Sequence, residues 1–504
     1  MNGRRKAAVF LGLFFCFASM LNAFDIKIDM QGTLSPDLAY VNGLGGLYHE
    51  VGPFSFIAEL GACNDGKYTA FEDGEFTYGF YYYLNNGGLI YDGDRLKLKM
   101  GRFVHSDVVD SPYSLFISSE EIPAVQLEIS YEDDLFFYLD RWVQLNDRSA
   151  LYAIINTQDL DGDGLLTEAE ITADQIDRAM NFKSYGLKFG RLKVGFQDST
   201  VYTRLFDAEY FFNPVPGWFL QYINTTGGKP WTKTGNDNSI MGFFGDWTDD
   251  SYEIIGQLLL DDFNLNSIMN PSGPQYPNKI AWSLGGRYDT KWGKFGLFHA
   301  GATKYTFEPY GTDTDLGYPT DLKYGYTYYP TTTYRLGEDA DGDEVTLDYQ
   351  DNYIGYKYGE NNIALLTDWL GEVYGYRLYS SLEFTLSGSK SPANPNQEFF
   401  NWREGGFGTK MFNEGSLEKK IELDINASRT FGSWTPYVDL EIGGIFNVLK
   451  LESVPVRDVN GNDIIDPEEL AAHANNATKI FHPSGDNELI LNFTIGCTYT
   501  YSLD

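Results

Sequence analysis

Apolar and polar residues alternate along most of the chain after residue 23. Residues 76–82 place an aromatic ring at every second position, and residues 96–100 alternate apolar side chains with lysines. A turn, Asp-Gly-Asp, lies between them at residues 92–94, and residues 85–88, Asn-Asn-Gly-Gly, predict a break. Because successive side chains of a strand point to opposite faces, residues 75–103 are predicted to form a hairpin with one apolar face.

The same alternation recurs until the last residues. Residues 489–503 carry an apolar or aromatic side chain at every second position, and residues 24–30 repeat this pattern at the other end. A strand needs about 9–11 residues to cross a bilayer at a tilt, so residues 489–503 are long enough. A barrel pairs its first strand with its last. The predicted fold is all-β, a closed antiparallel transmembrane β-barrel of about 16–18 strands with short helices in its loops.

Residues 1–23 have the pattern of a secretory signal peptide. Arg4, Arg5 and Lys6 form a basic start, an apolar stretch follows, and Ala23 offers a small residue before a cut at Phe24. The expected organisation is a cleaved signal peptide at 1–23 and a barrel at 24–504.

These features resemble the outer-membrane β-barrels of double-membraned bacteria, over nearly all of residues 24–504. The resemblance implies a place in the outer membrane, lipid as a partner and porin-like passage of small solutes. Residues 101–103 (Gly-Arg-Phe), 114–118 (Ser-Leu-Phe-Ile-Ser) and 122–131 are also similar to segments of capsule-assembly and polysaccharide-export barrels. That narrower resemblance implies an alternative, a barrel that handles polysaccharide without conducting.

The charge balance is strongly acidic, with 71 Asp and Glu against 37 Lys and Arg among 504 residues. Phosphate binding needs a basic face, so nucleic acid is excluded as a partner, whereas cation binding is permitted. Inside a barrel, Glu59, Glu128, Glu383 and Glu422 fall on the polar faces of predicted strands, and several lysines share such faces. The sequence therefore leaves the ion preference of a pore open.

Residues 159–170 resemble the calcium-binding loop of an EF-hand. Asp159, Asp161 and Asp163 stand at positions 1, 3 and 5, and a glycine at position 6 permits the sharp turn. The remaining ligands would be the Leu165 carbonyl, Thr167 and a bidentate carboxylate from Glu170. The apolar spacing after the loop predicts a helix over residues 167–182, with a strand before the loop. The expected cofactor is Ca²⁺, bound within a loop insertion at 156–182.

A second copy lies in an expected insertion at residues 456–476, with a short helix after it. Its predicted ligands are Asp458, Asn460, Asn462, the Ile464 carbonyl, Asp466 and Glu469. An aspartate replaces the glycine of position 6, which predicts a weaker site. A third stretch, 339–344, begins like a site but has Gln350 at position 12, which favours a solvated acidic loop. Both calcium loops are expected on the outer side of the barrel, where they could touch.

No catalytic constellation stands out, and the sequence predicts no enzyme. It has five histidines, none of them forming a metal pair at helical spacing, and it lacks the Gly-x-Ser-x-Gly and phosphate-loop motifs. Cys63 and Cys497 fall on opposite faces of their predicted strands, which disfavours a disulfide. Three functions stay open: a porin-like barrel with calcium-stabilised loops, a non-conducting surface-polysaccharide or glycan-binding barrel, and a secreted calcium-dependent carbohydrate-binding β-protein.

Overall fold

The computed structural model describes residues 24–36, 38–66, 79–146, 153–157, 171–175, 177–225, 237–262, 278–307, 354–390, 411–412, 415–453 and 479–502. Within these residues the elements, in chain order, are β1 Asp25–Leu34, β2 Ala39–Val51, β3 Phe54–Cys63, β4 Tyr81–Asp92, β5 Leu96–Val104, β6 Pro123–Glu132, β7 Phe136–Asn146, β8 Ala153–Thr157, β9 Ile171–Gln175, β10 Arg178–Phe189, β11 Leu192–Tyr202, α1 Ala208–Phe212, α2 Gly217–Thr225, β12 Asn238–Thr248, β13 Tyr252–Asp262, β14 Lys279–Thr290, β15 Gly293–Ala302, β16 Asn362–Val373, β17 Tyr376–Ser387, β18 Glu418–Ser428, β19 Trp434–Phe446, β20 Leu449–Ser453, β21 Lys479–Pro483 and β22 Asn487–Tyr501.

Eighteen of these strands form one closed antiparallel barrel. Neighbours in the ring are neighbours in the chain, except that β8–β9 and β20–β21 form separate two-stranded hairpins. The first strand closes on the last, from the pair Ile26 and Tyr501 to the pair Leu34 and Phe493. The predicted fold class, the predicted closure and the upper end of the predicted strand number are confirmed.

The alternation in the sequence separates an outer face from a lumen face. On β22, Leu489, Leu491, Phe493 and Ile495 are exposed on the outside, whereas Asn492 points inward and donates to a lumen carboxylate. Similar exposed apolar residues occur on most of the other barrel strands. An uninterrupted exposed apolar band is what the hydrocarbon of a bilayer requires of a barrel wall.

The two ends of the barrel differ in their connections. At one end, where β1 begins, all eight connections have two to five residues. At the other end, all connections except β1–β2 have at least 16 residues. We call these the short-turn end and the long-loop end. Gly190 illustrates the tight turns, because its φ of 63° lies in the left-handed region that residues other than glycine avoid.

The break predicted at residues 85–88 is wrong. Strand β4 continues through these residues, and its pairing with β3 shifts register there as a bulge. Asn85 and Asn86 both donate side-chain hydrogen bonds to Glu59 of β3. Gly88 lies directly opposite Gly101, and a Cβ on Gly88 would lie 2.2 Å from the Met100 carbonyl oxygen. The glycines therefore serve close backbone approach within a strand, and only the turn at 92–94 ends it.

The helix predicted over residues 167–182 is also wrong. Residues 171–175 form β9, and β10 begins at Arg178 and pairs with β7 and β11. Met180 and Phe182 both point into the lumen core, two positions apart, which is the period of a strand. The open edge of β7 supplies ladder partners for residues 178–182, and β8 supplies them for residues 171–175, so sheet pairing overrides the local helical spacing.

Among the residues that the structure describes, no helix is long and apolar enough to cross a membrane. The Cys63 side chain points from β3 toward the lumen, whereas Cys497 lies on the outer face of β22. Neither cysteine forms a disulfide.

Candidate functional site in the barrel lumen

The connection between β5 and β6, residues 105–122, folds into the lumen. We call it the lumen segment. Its central residues, 113–118, are almost fully buried although they belong to no strand of the barrel. A segment that leaves the ladder must satisfy its backbone groups elsewhere, so its contacts show how it is held.

Asp107 joins the start of the lumen segment to its central residues. Its carboxylate accepts hydrogen bonds from the backbone N–H groups of Phe116 and Ile117, at 3.2 and 3.3 Å. It also accepts bonds from the side-chain amides of Gln197 on β11 and Gln257 on β13. Gln257 in turn accepts from the backbone N–H of Leu115 at 2.8 Å. The Asp107 carboxylate thus stabilises the conformation of the segment and attaches it to the wall. Hydrogen bonds to a charged acceptor are stronger than those between neutral groups.

The lumen segment reaches across the barrel. On one side, Arg141 of β7 donates to the Ser106 carbonyl at 2.7 Å and pairs with Glu128 at 2.7 Å. On the other side, the Tyr113 hydroxyl donates to Glu383 of β17 at 2.7 Å. Eight steps around the 18-stranded ring separate β7 from β17. The segment therefore spans nearly the full width of the lumen.

Among the described residues, apolar packing fills the lumen on the side of β6–β16. The lumen segment contributes five buried residues to the main apolar cluster: Val109, Tyr113, Leu115, Phe116 and Ile117. The wall residues of this cluster that lie in strands belong to β6, β7 and β10–β16, and among the described residues none comes from β17–β19, β22 or β1–β5. At roughly 25 cal/mol per Å² of apolar area, such a cluster makes docking of the segment strongly favourable.

A second stretch, residues 354–361, packs against the lumen segment. Ile354 forms a bridge with Ile117, and the Gly355 N–H donates to the Phe116 carbonyl at 3.0 Å. Lys357 lies 3.2 Å from Glu383, the residue that also accepts from Tyr113. In the described part of the chain, two connections of the long-loop end thus build the apolar filling of the lumen.

The other side of the lumen carries an excess of carboxylates. We call this the acidic wall, and its members are Asp29, Glu59, Glu422, Asp424, Asp439 and Glu441. They point inward from β1, β3, β18 and β19, and several keep contact with solvent, with Asp439 the most exposed. Water therefore reaches this side of the lumen at mid-height, in contrast to the apolar side.

Three members of the acidic wall are close together. Carboxylate oxygens of Glu422, Asp424 and Glu441 lie within 4.8 Å of one another. Lys420 neutralises part of this charge through a 2.5 Å contact with Glu422. The predicted inward positions of Glu59, Glu128, Glu383 and Glu422 are all observed. However, Glu128 and Glu383 are engaged by the lumen segment or its partners, so the sequence could not tell anchoring carboxylates from solvent-facing ones.

A cavity of about 1,040 Å³ lies beneath the lumen segment, toward the short-turn end. Asp110 and Ser111 of the segment line its upper side, while Arg287 and Tyr379 belong to its wall. Arg287 pairs with Asp110 at 3.2 Å. The cavity also includes Asp424 and Asp439, so it is continuous with the acidic wall. Its polar lining suits small hydrated solutes better than apolar ones.

His105 lies at the point where the lumen segment leaves β5. It is 2% exposed, and neither ring nitrogen has a hydrogen-bond partner among the described residues. Burial lowers the pKa of His105 well below 6.5, and the nearby charges of Arg141 and Lys99 lower it further. The imidazole is therefore neutral at physiological pH.

The predicted calcium ligands lie outside the described residues: Asp159, Asp161, Asp163, Leu165, Thr167, Glu170, Asp458, Asn460, Asn462, Ile464, Asp466 and Glu469. The elements around them are described. Residues 158–170 connect β8 to β9, and residues 454–478 connect β20 to β21. Both hairpins belong to connections of the long-loop end, so the two candidate calcium loops share one end of the barrel. Ten barrel strands separate them one way and eight the other, so they leave nearly opposite sides of the rim.

The lumen segment is what sequence reasoning missed. Residues 105–122 have no alternation, no glycine-rich turn and no catalytic motif, and within them only residues 114–118 and 122 carry the resemblance to capsule-assembly barrels. A usable signal was present, because residues 113–118 combine aromatic and aliphatic side chains with serines in a connection too apolar for a solvated loop.

Comparisons with known proteins identify the fold. No family model matches the sequence, and no curated protein matches it. The structure is similar to that of Escherichia coli Wzi, an outer-membrane protein involved in group 1 capsule assembly and a carbohydrate-binding β-barrel. The TM-score is 0.50 at 10% identity, over 98% of this chain and 88% of Wzi. Pseudomonas aeruginosa OccD3 matches with a TM-score of 0.42 at 10% identity, over 96% of this chain and 91% of that one.

Pseudomonas aeruginosa OprD gives a similar match, with a TM-score of 0.42 at 9% identity, over 96% of this chain and 95% of OprD. The closed ring of 18 strands and the similarity to Wzi show that the chain has the fold of an outer-membrane β-barrel. Identities this low show the architecture and not the activity, so the function must be argued from the lumen itself.

Proposed function

We propose that this protein is an outer-membrane channel of restricted bore, which passes small solutes and favours cations. The observation that carries the proposal is the one-sided filling of the lumen. The lumen segment and residues 354–361 occupy the side of β6–β16, and the acidic wall opposite them keeps contact with water. Solutes would move along the acidic wall and through the cavity below the lumen segment. Rings of carboxylates favour cations in such pores.

In bacterial outer-membrane barrels, short turns face the periplasm and longer loops face the outside. We therefore place the long-loop end, with both candidate calcium hairpins, outside the cell. We propose that residues 159–170, and more weakly 458–469, bind Ca²⁺ there. The support is the ligand spacing of each loop and its placement between two paired strands, which would bring the loop ends together.

The channel proposal is tested by single-channel recording in planar bilayers under a salt gradient. The wild-type protein should give small, cation-selective steps. Replacing Glu422, Asp424 and Glu441 by Gln, Asn and Gln should lower the cation preference several-fold, because it removes the charge that faces the solute. The control is D94N/D134N/D250N, which removes the same charge from exposed short turns.

Steps whose selectivity is unchanged in the lumen variant would show that solutes do not follow the acidic wall. A protein that inserts and never conducts would favour a second function, the handling of a surface carbohydrate. That function is supported by the lumen segment, which spans nearly the whole barrel and includes residues 114–118 of the capsule-assembly resemblance. Wzi, which shares the fold, is a carbohydrate-binding barrel. A secreted soluble protein is not supported, because its exposed apolar band would face water.

A further inference from the structure

The connection between β11 and β12 begins with residues 203–225, which contain α1 and α2. We call this stretch the cover. It lies against the outside of the barrel: α1 packs on β7, and α2 packs on β11 and β12. Tyr210 and Leu220 of the cover form a small apolar cluster with Ala179 and Tyr202. Since Met180 points into the lumen, its neighbour Ala179 points outward.

The wall beneath the cover carries outward-facing charges. Asp140, Lys183 and Asp198 stand side by side on β7, β10 and β11, in direct register. Each is at most 1% exposed. An uncovered charge in hydrocarbon is costly. Asp198 pairs with Met241 of β12. The next outward-facing residue of β12, Phe243, belongs to the exposed apolar band.

The cover supplies polar partners for Lys183 and Asp198, whereas Asp140 is bonded within the wall by Tyr138, Asn181 and Lys183. The Lys183 ammonium donates to the Val215 carbonyl at 2.9 Å and also to the Asn213 carbonyl. Asp198 accepts a hydrogen bond from the Gly217 N–H, and a Cβ at Gly217 would lie 2.3 Å from the Thr200 hydroxyl oxygen. The backbone of the cover therefore faces the wall at close range, and glycine is required there.

The surface of the cover has inverted polarity. Among residues 203–224, ten are exposed, and all ten are apolar or aromatic: Leu205, Phe206, Ala208, Phe212, Pro214, Val215, Trp218, Phe219, Tyr222 and Ile223. Its charged residues Arg204 and Glu209 are half-buried rather than exposed. Asp207 is buried, and Arg204 pairs with Asp207 and Asp237 at 3.0 and 2.9 Å. A loop in water would show the opposite distribution.

We propose that the cover is embedded in the membrane and that its exposed face binds lipid acyl chains of the outer leaflet. Continuity supports lipid as the occupant. The Tyr185 hydroxyl, on the outer face, donates to the Pro214 carbonyl at 2.7 Å, so the cover begins where the apolar band of β10 ends. Gly217 bonds to Asp198, which lies four residues before Tyr202, the last residue of β11. The cover therefore extends about 13 Å from the end of β11 toward the short-turn end. The cover thus supplies the apolar surface that the wall lacks at Asp140, Lys183 and Asp198. It would do so whether or not the lumen conducts.

The test uses a fluorescent label whose emission is quenched by brominated acyl chains. Single cysteines replace Phe212 or Tyr222 in a chain of residues 24–504 whose own cysteines are changed to serine, and an environment-sensitive dye is attached. The proteins are refolded into phosphatidylcholine vesicles, and heat-modifiable migration on a gel verifies the barrel. Leu491→Cys on the lipid-facing wall and Ser433→Cys in a short turn are the matched controls.

Quenching at Phe212→Cys and Tyr222→Cys should reach that of the Leu491 control and exceed that of the Ser433 control several-fold. Quenching by aqueous iodide, at the level of the Ser433 control, would overturn the proposal. Labels shielded from both quenchers, with emission that depends on the protein-to-lipid ratio, would also overturn it. That result would assign the face to a second copy of this chain.

Discussion

Asp107 and Glu383 show how single carboxylates position a long segment inside a barrel. Asp107 accepts two backbone N–H groups of the segment, and Glu383 accepts the Tyr113 hydroxyl from the far side of the lumen. Both carboxylates lie where an unpaired charge would be costly. Each therefore favours the docked segment, which supplies its hydrogen-bond donors. His105, at the start of the same segment, is the exception, since it is buried and its ring nitrogens have no partner among the described residues.

We expect acid to weaken the docking of the lumen segment through His105. Its pKa lies below 6.5 in the folded protein, so the undocked chain binds more protons at acid pH. The associated stability is present above about pH 6.5 and is lost as the pH falls from there toward the lowered pKa. Protonation would place a third cation beside Arg141 and Lys99, which both already interact with the carboxylate of Glu128.

Conductance recorded between pH 7.5 and 4.5 measures this effect. Open-state current or its fluctuation should increase toward acid pH, and His105→Phe should remove that part of the change because it cannot be protonated. His299→Phe is the control, since His299 sits on β15, where its ring bonds to Ala364 and Trp282. An equal acid response in wild type and His105→Phe would assign it to the carboxylates.

Strands in this protein are defined by pairing rather than by local preference. Residues 85–88 look like a turn and residues 167–182 look partly helical, yet both lie largely within strands because a neighbouring strand offers an unpaired edge. Outside the barrel, the strands of the short hairpins β8–β9 and β20–β21 are likewise defined by their pairing with each other. Each joins the two ends of a candidate calcium loop, which reduces the chain entropy that a bound ion must overcome.

We expect Ca²⁺ to bind residues 159–170 of the folded protein. Glu170→Gln should weaken calcium affinity at least about tenfold, because it removes the bidentate ligand of position 12. Terbium luminescence and calorimetry measure the affinity, before and after treatment with a chelator. Asp343→Asn, in the third acidic stretch with Gln350 at position 12, is the control and should change little. If both variants bind like the wild type, the calcium proposal for this loop fails.

At the scale of the whole molecule, the contacts that close the barrel are separate from those that fill its lumen. The barrel is held by ladders that run around all 18 strands and close through β1 and β22. The lumen segment adds a core on one side without taking part in those ladders. Because Val104 and Pro123 are direct partners in β5 and β6, a short turn can replace the whole segment without disturbing the wall.

We expect a chain with residues 106–121 replaced by a four-residue Gly-Ser turn to insert as a barrel with larger conductance, severalfold above wild type. The physical reason is that the segment spans the lumen from β7 to β17. Heat-modifiable migration reports barrel formation, and planar bilayer recording reports the steps. Glu120→Gln, an exposed position that leaves the segment docked, is the control. Unchanged steps in the shortened chain would mean that the segment does not limit the path.

The sequence by itself determined the wall. Alternation of period two is a local property, so residues 489–503, the inward carboxylates and the closure of the first strand on the last could all be predicted. The ligand spacing of residues 159–170 is local in the same sense, and it predicts a calcium site without reference to the fold. Local pattern also misled at 85–88 and 167–182, where the deciding partner lies on another strand.

Only the tertiary structure decided what occupies the lumen and what covers the outside. Tyr113 meets Glu383 across 270 residues of sequence, and the cover meets Lys183 from a loop that returns over the wall. Such contacts depend on where closure brings distant segments together, and no spacing along the chain encodes that distance. The function proposed here rests on those contacts, because they separate a filled half of the barrel from an acidic half that water reaches.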